Sequence, residues 1–198
     1  PGSNNWVSTV DRIDYSNDTA TAAVKGPLSQ TRESGCATGD SSFGYFGGGA
    51  GNNNDNLSSV DRIDYSNDTA TASPKGPLSH SLRESAASSS KANANPTKSL
   101  QPASSVRPNI APQGTDFGYF GGGSYPSVSS YKSSVDRIDY SNDSATASPK
   151  GNLSRTTQNH GGASSATGGY FFGGQPASSK VDRIDYSNDT ATASPKGP

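Results

Sequence analysis

The sequence predicts an all-β protein built from repeated antiparallel sheets. The word VDRIDY occurs four times, beginning at residues 10, 60, 135 and 181. A second word, GYFGGG or GYFFGG, alternates with it and begins at residues 44, 118 and 169. No helical periodicity separates the words, and the large apolar residues recur at fixed places inside them. Ordered repetition therefore explains a chain with only 28% hydrophobic residues, 23 Gly and 13 Pro better than disorder does.

Each repeat is predicted to contain four short strands. The first is a stretch of small residues, at 34–38 or 162–167, that lets an innermost strand approach its neighbours. The second is FGYFGG, whose aromatic and glycine residues on both faces are typical of a strand covered on both sides. The third is VDRIDY. The fourth is TATASPKG, where an edge strand tolerates Pro74, Pro149 and Pro195.

A tight reversal is predicted between the third and fourth strands. Ser-Asn-Asp is good turn chemistry, because Asn accepts a left-handed conformation and Asp bonds to its own backbone. The word VDRIDYSNDTATA is therefore predicted to form a hairpin.

The spacing of the words sets the repeat boundaries. From VDRIDY to the next GYF the distance is 34 residues in two repeats and 58 in the other, which indicates an insertion at about 89–112. Its four prolines predict an extended arm that lies over a neighbouring subunit. We expect one repeat domain over 1–198, with units at about 1–29 (a half unit), 30–79, 80–154 and 155–198. Because the chain contains no Met, we expect it to be a fragment of a longer one.

The words GYFFGG and SSKVDRIDYSNDTATASPKGP resemble the Kelch blade pattern, in which a hydrophobic strand ends in a glycine pair and a later strand carries Tyr and Asp before a turn. The resemblance covers almost the whole chain and implies a β-propeller of four-stranded blades, three and a half of them visible. Most Kelch blades have a tryptophan where this chain reads TATA, and we expect a third-strand tyrosine to fill that space. A β-solenoid is the alternative, although its coils are usually shorter than these units.

The same words are similar to repeat proteins of marine cyanobacterial myoviruses, found in tail or fibre components. This resemblance implies a non-enzymatic structural protein of a virion tail or fibre, or of an extracellular filament, with host-surface attachment left open as a further role. Its expected partners are other virion or filament subunits, and its expected location is the virion or the cell exterior.

Composition argues against several other classes of protein. With 16 Lys and Arg, 17 Asp and Glu and a net charge of −1, the chain has no bias toward nucleic acid. Its longest apolar run, near residues 170–172, is far shorter than the roughly 20 residues that span a bilayer. Cys36 is the single cysteine, and two histidines in loops lack a catalytic partner fixed by sequence. We expect neither enzyme activity nor a cofactor.

The loops suggest an alternative function. In a four-stranded meander, the connections between strands two and three and those after strand four emerge on one face. They carry aromatic, amide and charged side chains suited to stacking on and bonding to sugars. The candidate glycan-binding residues are Trp6, Asn53, Asp55, Arg83, Tyr125, Tyr131 and His160. The alternative to a scaffold is therefore a carbohydrate-binding propeller for cell-surface glycans.

A calcium site is a weaker alternative. Asp14, Ser16 and Asp18 match positions 1, 3 and 5 of a calcium loop, but the turn glycine and the bidentate glutamate are missing. The favoured interpretation is that these carboxylates cap turns and pair with the arginines of VDRIDY in neighbouring repeats.

Overall fold

The computed structural model describes residues 6–53, 55–90, 116–125 and 130–197. Within these residues, strands and two short 3-10 turns follow one another with no α-helix. The predicted all-β class is confirmed. Of the predicted insertion at 89–112, only Ser89 and Ser90 lie inside the described residues.

The strands form four antiparallel sheets, in which each strand pairs with the next one along the chain. The first sheet has two strands, β1 (Val10–Arg12) and β2 (Ala23–Lys25). The second has β3 (Cys36–Gly39), β4 (Phe43–Gly47), β5 (Val60–Asp64) and β6 (Ser73–Lys75). The third has β7 (Ala86–Ser89), β8 (Phe117–Gly121), β9 (Val135–Asp139) and β10 (Ser148–Lys150). The fourth has β11 (Gly161–Ser164), β12 (Gly168–Phe172), β13 (Val181–Asp185) and β14 (Ser194–Lys196).

The register between the two central strands is the same in each four-stranded sheet. Tyr45 of β4 lies opposite Arg62 of β5, and Phe46 lies opposite Asp61. The third and fourth sheets repeat this pairing. Because side chains alternate between the faces of a strand, each sheet carries Tyr and Arg on one face and Phe and Asp on the other.

Two strand predictions were wrong in their bounds. The fourth strand does not include the TATA sequence and begins only at Ser73, Ser148 or Ser194. The backbone is still turning at TATA, and Ala72 N donates at 2.8 Å to Pro27 O of the preceding connection. The strand predicted at 162–167 ends at Ser164, because Ser165 N bonds to Gly168 O and closes a turn.

The core lies between consecutive sheets. One buried cluster joins Tyr45, Val60 and Leu78 to residues of the third sheet that include Phe120 and Tyr140. A second cluster joins the third sheet to Phe171, Ile184 and Tyr186 of the fourth. Tyr45 and Tyr119 are fully buried. The expectation that the aromatic rings of the words are hidden between sheets is confirmed at these two contacts, which bury the apolar area that stabilises the fold.

The first strands of the sheets lie close together. Thr38 Oγ1 of β3 donates to Ser88 O of β7 at 2.9 Å, and Ser89 N of β7 donates to Ser164 Oγ of β11 at 2.8 Å. A Cβ on Gly162 would overlap the carbonyl oxygen of Ala87, so β11 and β7 approach as closely as small residues allow. The small-residue words therefore serve as the contact between sheets that the sequence predicts.

Candidate interaction sites

We use the word junction for the contact between one sheet and the next along the chain. At the junction of the second and third sheets, Asp143 is the central acceptor. Its Oδ2 accepts from Arg62 Nη1 at 2.7 Å and from Tyr45 OH at 3.0 Å, and Lys75 Nζ lies 3.3 Å from its Oδ1. The carboxylate is buried and receives two cations and a phenol, so its charge is compensated.

The junction of the third and fourth sheets repeats this arrangement, and that of the first and second sheets repeats its two ion pairs. Between the third and fourth sheets, Asp189 accepts from Arg137 at 2.7 Å and from Tyr119 OH at 2.9 Å, with Lys150 at 3.6 Å. Between the first and second sheets, Asp68 pairs with Arg12 at 2.5 Å and Lys25 at 3.2 Å. The prediction that carboxylates of the turn pair with arginines of a neighbouring repeat is confirmed for Arg12, Arg62 and Arg137. It was wrong for Arg183, which pairs with Asp185 of its own sheet.

The phenols at the junctions have perturbed acidities. Burial, together with the nearby Asp143, raises the pKa of Tyr45 well above its ordinary value, and burial with Asp189 does the same for Tyr119. Burial raises the pKa of Tyr140 to about 12. These hydroxyls therefore stay protonated at neutral pH, so those of Tyr45 and Tyr119 donate to the carboxylates.

Aromatic stacking accompanies the ion pairs. Tyr45 stacks on Tyr140 of the next sheet with ring centroids 4.8 Å apart, and Tyr119 stacks on Tyr186 at 5.0 Å. Each stack contributes on the order of 0.5–1.5 kcal/mol beyond the area that it buries. The tyrosines Tyr140 and Tyr186, which follow the third strands, thus lie buried between sheets.

The backbone also crosses each junction. The amide of Gly76 donates to Asp143 O at 2.8 Å, and Gly26 and Gly151 make the same bond to Asp68 O and Asp189 O. A Cβ on Gly76 would overlap the carbonyl oxygen of Ala145. Only glycine permits this approach.

A second set of buried carboxylates ties each connection to the following third strand. Asp61 accepts from Ser29 N at 3.0 Å and Ser29 Oγ at 2.6 Å, and it pairs with the buried Arg32 at 3.0 Å. Two later units repeat the serine bonds, with Ser79 on Asp136 and Ser154 on Asp182. Burial raises the pKa of Asp136, and the Ser79 bonds oppose that rise.

Asp14, the first carboxylate of the calcium alternative, is hydrogen-bonded within its own turn. Asp14 Oδ1 accepts from Ser16 N at 2.9 Å and from Ser16 Oγ at 2.7 Å, and these bonds lower the pKa of Asp14. In the described part of the chain, no three His, Cys, Asp or Glu residues are grouped as metal ligands. Asp18 is exposed, and its equivalent Asp143 bonds to cations of the preceding sheet.

Bridges between backbones join the two sets of loops on which the predicted glycan face depends. Ser124 forms a bridge to Arg83 of the preceding connection and another to Tyr131 on its own loop. Ala50 forms the equivalent bridges to Glu33 and Asn56. The two sets of connections therefore share one face of the molecule, where they are held together by hydrogen bonds.

The candidate glycan residues are distributed over several loops. Arg83 and Tyr131 are brought together at Ser124, and the adjacent Tyr125 carries Lys132 Nζ 4.4 Å from its ring centroid. The remaining candidates do not join this group by any bridge: Asn53 and Asp55 are exposed on the loop after β4, and Trp6 is half-buried before β1.

His160 differs from the other candidates because it packs inward. Its ring lies 6.0 Å from the Phe171 ring and against Gly122. Burial, assisted by Arg155, lowers the pKa of His160 to about 4. The imidazole is therefore neutral at pH 7 and contacts the junction of the third and fourth sheets.

Sequence reasoning missed part of the junction. It did not identify the lysine, glycine and serine of the words KGPLS and KGNLS, which begin at residues 25, 75 and 150, as contacts to the next sheet. Their recurrence at a fixed distance after VDRIDY was the available signal.

Cys36 is half-buried and lies 3.1 Å from Ser85 Oγ. Burial raises the pKa of Cys36 to about 11, so it remains a protonated thiol.

No protein-family model matches this chain, and no curated protein matches it. In the described ranges, no helix is long and apolar enough to cross a membrane.

Proposed function

We propose that this chain is a non-enzymatic structural repeat protein of a virion tail or fibre, or of an extracellular filament. The observation that carries the proposal is the junction itself, which the same words build three times. The buried charges and tyrosines of the chain join sheets built from the same words to one another. That is the property of a scaffold whose stability is the sum of repeated neighbour contacts.

We also propose that the sheets are blades of a Kelch-like β-propeller. The contacts of β7 with β3 on one side and with β11 on the other support an arrangement with the first strands innermost. The exposed Pro74, Pro149 and Pro195 support an outermost position for the fourth strands. The partners of such a protein are other virion or filament subunits, and its location is the virion or the cell exterior.

Immunogold electron microscopy tests the structural role. An antibody against the purified chain should decorate particles or extracellular filaments from the source culture at regular positions, and antibody preabsorbed with the chain should not. Recovery of the chain only in the soluble fraction, with unlabelled particles and filaments, would contradict the role.

Carbohydrate binding is the second candidate function. The bridges that hold the backbones of Arg83 and Tyr131 at Ser124, beside Tyr125, favour it, because they bring one cationic and two aromatic residues, each half-buried, onto neighbouring loops. Attachment to a cell-surface glycan would then accompany the structural role.

A glycan array separates the two functions. A pure scaffold gives no signal, whereas recognition gives a signal that Tyr131→Ala or Tyr125→Ala reduces at least tenfold. Tyr65→Ala is the matched control, because Tyr65 is 50% exposed and lies in the turn after β5, outside the loop face. A signal that survives both loop substitutions would exclude this face as the glycan site.

A further inference from the structure

The first sheet exposes one half of a junction. Tyr15 is 92% exposed and Ile13 is 55% exposed, whereas their equivalents in the third sheet, Tyr140 and Ile138, are 8% and 2% exposed. Asp18 is exposed and has no ion pair among the described residues, although its three equivalents each hold an arginine and a lysine. We call Ile13, Tyr15, Asp18 and Ala20 the leading face.

The fourth sheet exposes the other half. A Cβ added at Gly197 would meet no atom within 4 Å, whereas a Cβ added at Gly76 would overlap the backbone of the next sheet. Lys196 is exposed, and Arg183 bonds to Asp185 of its own sheet at 3.2 Å, unlike Arg62, which reaches the next sheet. We call Tyr170, Phe172, Arg183, Lys196 and Gly197 the trailing face.

Phe172 indicates which kind of sheet fits the trailing face. Its position is held by Gly47 and Gly121 in the earlier sheets, where a Cβ would lie 2.7 Å from the Phe120 ring and 3.0 Å from the Phe171 ring of the next sheet. A four-stranded sheet would therefore bring its phenylalanine onto Phe172, which is 40% exposed. The two-stranded first sheet has no GYF strand and leaves room for this ring.

The two faces of one molecule do not meet, as the exposure of Tyr15 and the open space at Gly197 show. We propose that the trailing face of one copy binds the leading face of a second copy, an inference that rests on the proposed structural role. Tyr170 then stacks on Tyr15, and Arg183 and Lys196 pair with Asp18. Gly197 packs against Ala20, as Gly76 packs against Ala145. Because the two faces differ, such a contact is heterologous and produces an open chain or a ring of copies.

Sedimentation velocity on the full chain tests this contact. The wild-type protein should show a weight-average mass that rises with concentration over the micromolar range. Asp18→Lys removes the leading face and keeps the trailing one, and Arg183→Ala with Lys196→Ala does the reverse without creating a charge that attracts the new lysine. Each variant alone should remain a monomer, and an equimolar mixture should form a heterodimer of twice the monomer mass.

Two controls keep the outcome clear. Asp55→Lys makes the same charge change on an exposed loop residue outside both faces and should assemble like the wild type. Lys196→Glu alone serves if the double variant fails to fold, and it should weaken association at least tenfold. A wild-type protein that stays monomeric at all concentrations, or variants that do not form the heterodimer, would overturn the contact. Neither result bears on the immunogold test of the structural role.

Discussion

At the residue scale, the glycine that follows Lys25, Lys75 or Lys150 is required by its neighbour in space. Gly26, Gly76 and Gly151 donate their amides to the Ser-Asn-Asp turn of the next sheet, and a Cβ at any of them would overlap a backbone carbonyl there. Their φ angles are not in the left-handed region, so the requirement comes from close packing and not from backbone conformation. Gly197 has the same sequence context and no such neighbour.

A matched pair of substitutions tests this requirement. Gly76→Ala forces the second and third sheets apart and should lower the free energy of unfolding by about 1–3 kcal/mol or more, the usual cost of overpacking. In the Asp18→Lys background, where the proposed contact between copies is removed, Gly197→Ala should leave it unchanged within about 0.5 kcal/mol, as is usual for surface substitutions. Urea unfolding followed by tyrosine fluorescence measures both. Equal effects of the two changes would show that the Cβ at residue 76 is accommodated.

At the element scale, the turn after each third strand has two functions. Asp64 caps its own 3-10 turn by accepting from Ser66 N, while Asp68, four residues later, pairs with Arg12 of the preceding sheet. One short word therefore both reverses the chain and joins two sheets. This explains why the fourth strand begins late, because the residues after the turn bond to the preceding connection before they enter the sheet.

The two-stranded first sheet shows what the other strands contribute. It provides Arg12 and Lys25 to Asp68 but no tyrosine of the GYF word, and Tyr65 of the second sheet is 50% exposed as a result. Its equivalents Tyr140 and Tyr186, which face complete sheets, are less than 10% exposed. The ion pairs thus form with two strands, whereas burial of the tyrosine needs all four.

At the scale of the whole molecule, the same junction can repeat around an axis or along one, and this difference distinguishes a propeller from a β-solenoid. Blades of a propeller turn about an axis and give a disc, whereas coils of a β-solenoid stack along an axis and give a rod. Small-angle scattering of the monomeric Asp18→Lys variant should give the short maximum dimension of a disc. An elongated distance distribution would favour the solenoid.

The sequence by itself determined the strand words, their antiparallel order and the burial of the aromatic rings between the second, third and fourth sheets, because alternation and repetition are local properties that a single chain displays. Only the tertiary structure decided which face meets which. Lys75, Gly76 and Ser79 contact the following unit through pairings more than 50 residues away in the chain, such as that of Ser79 with Asp136. No local pattern specifies such a partner, because it depends on the angle and distance at which one sheet packs on the next.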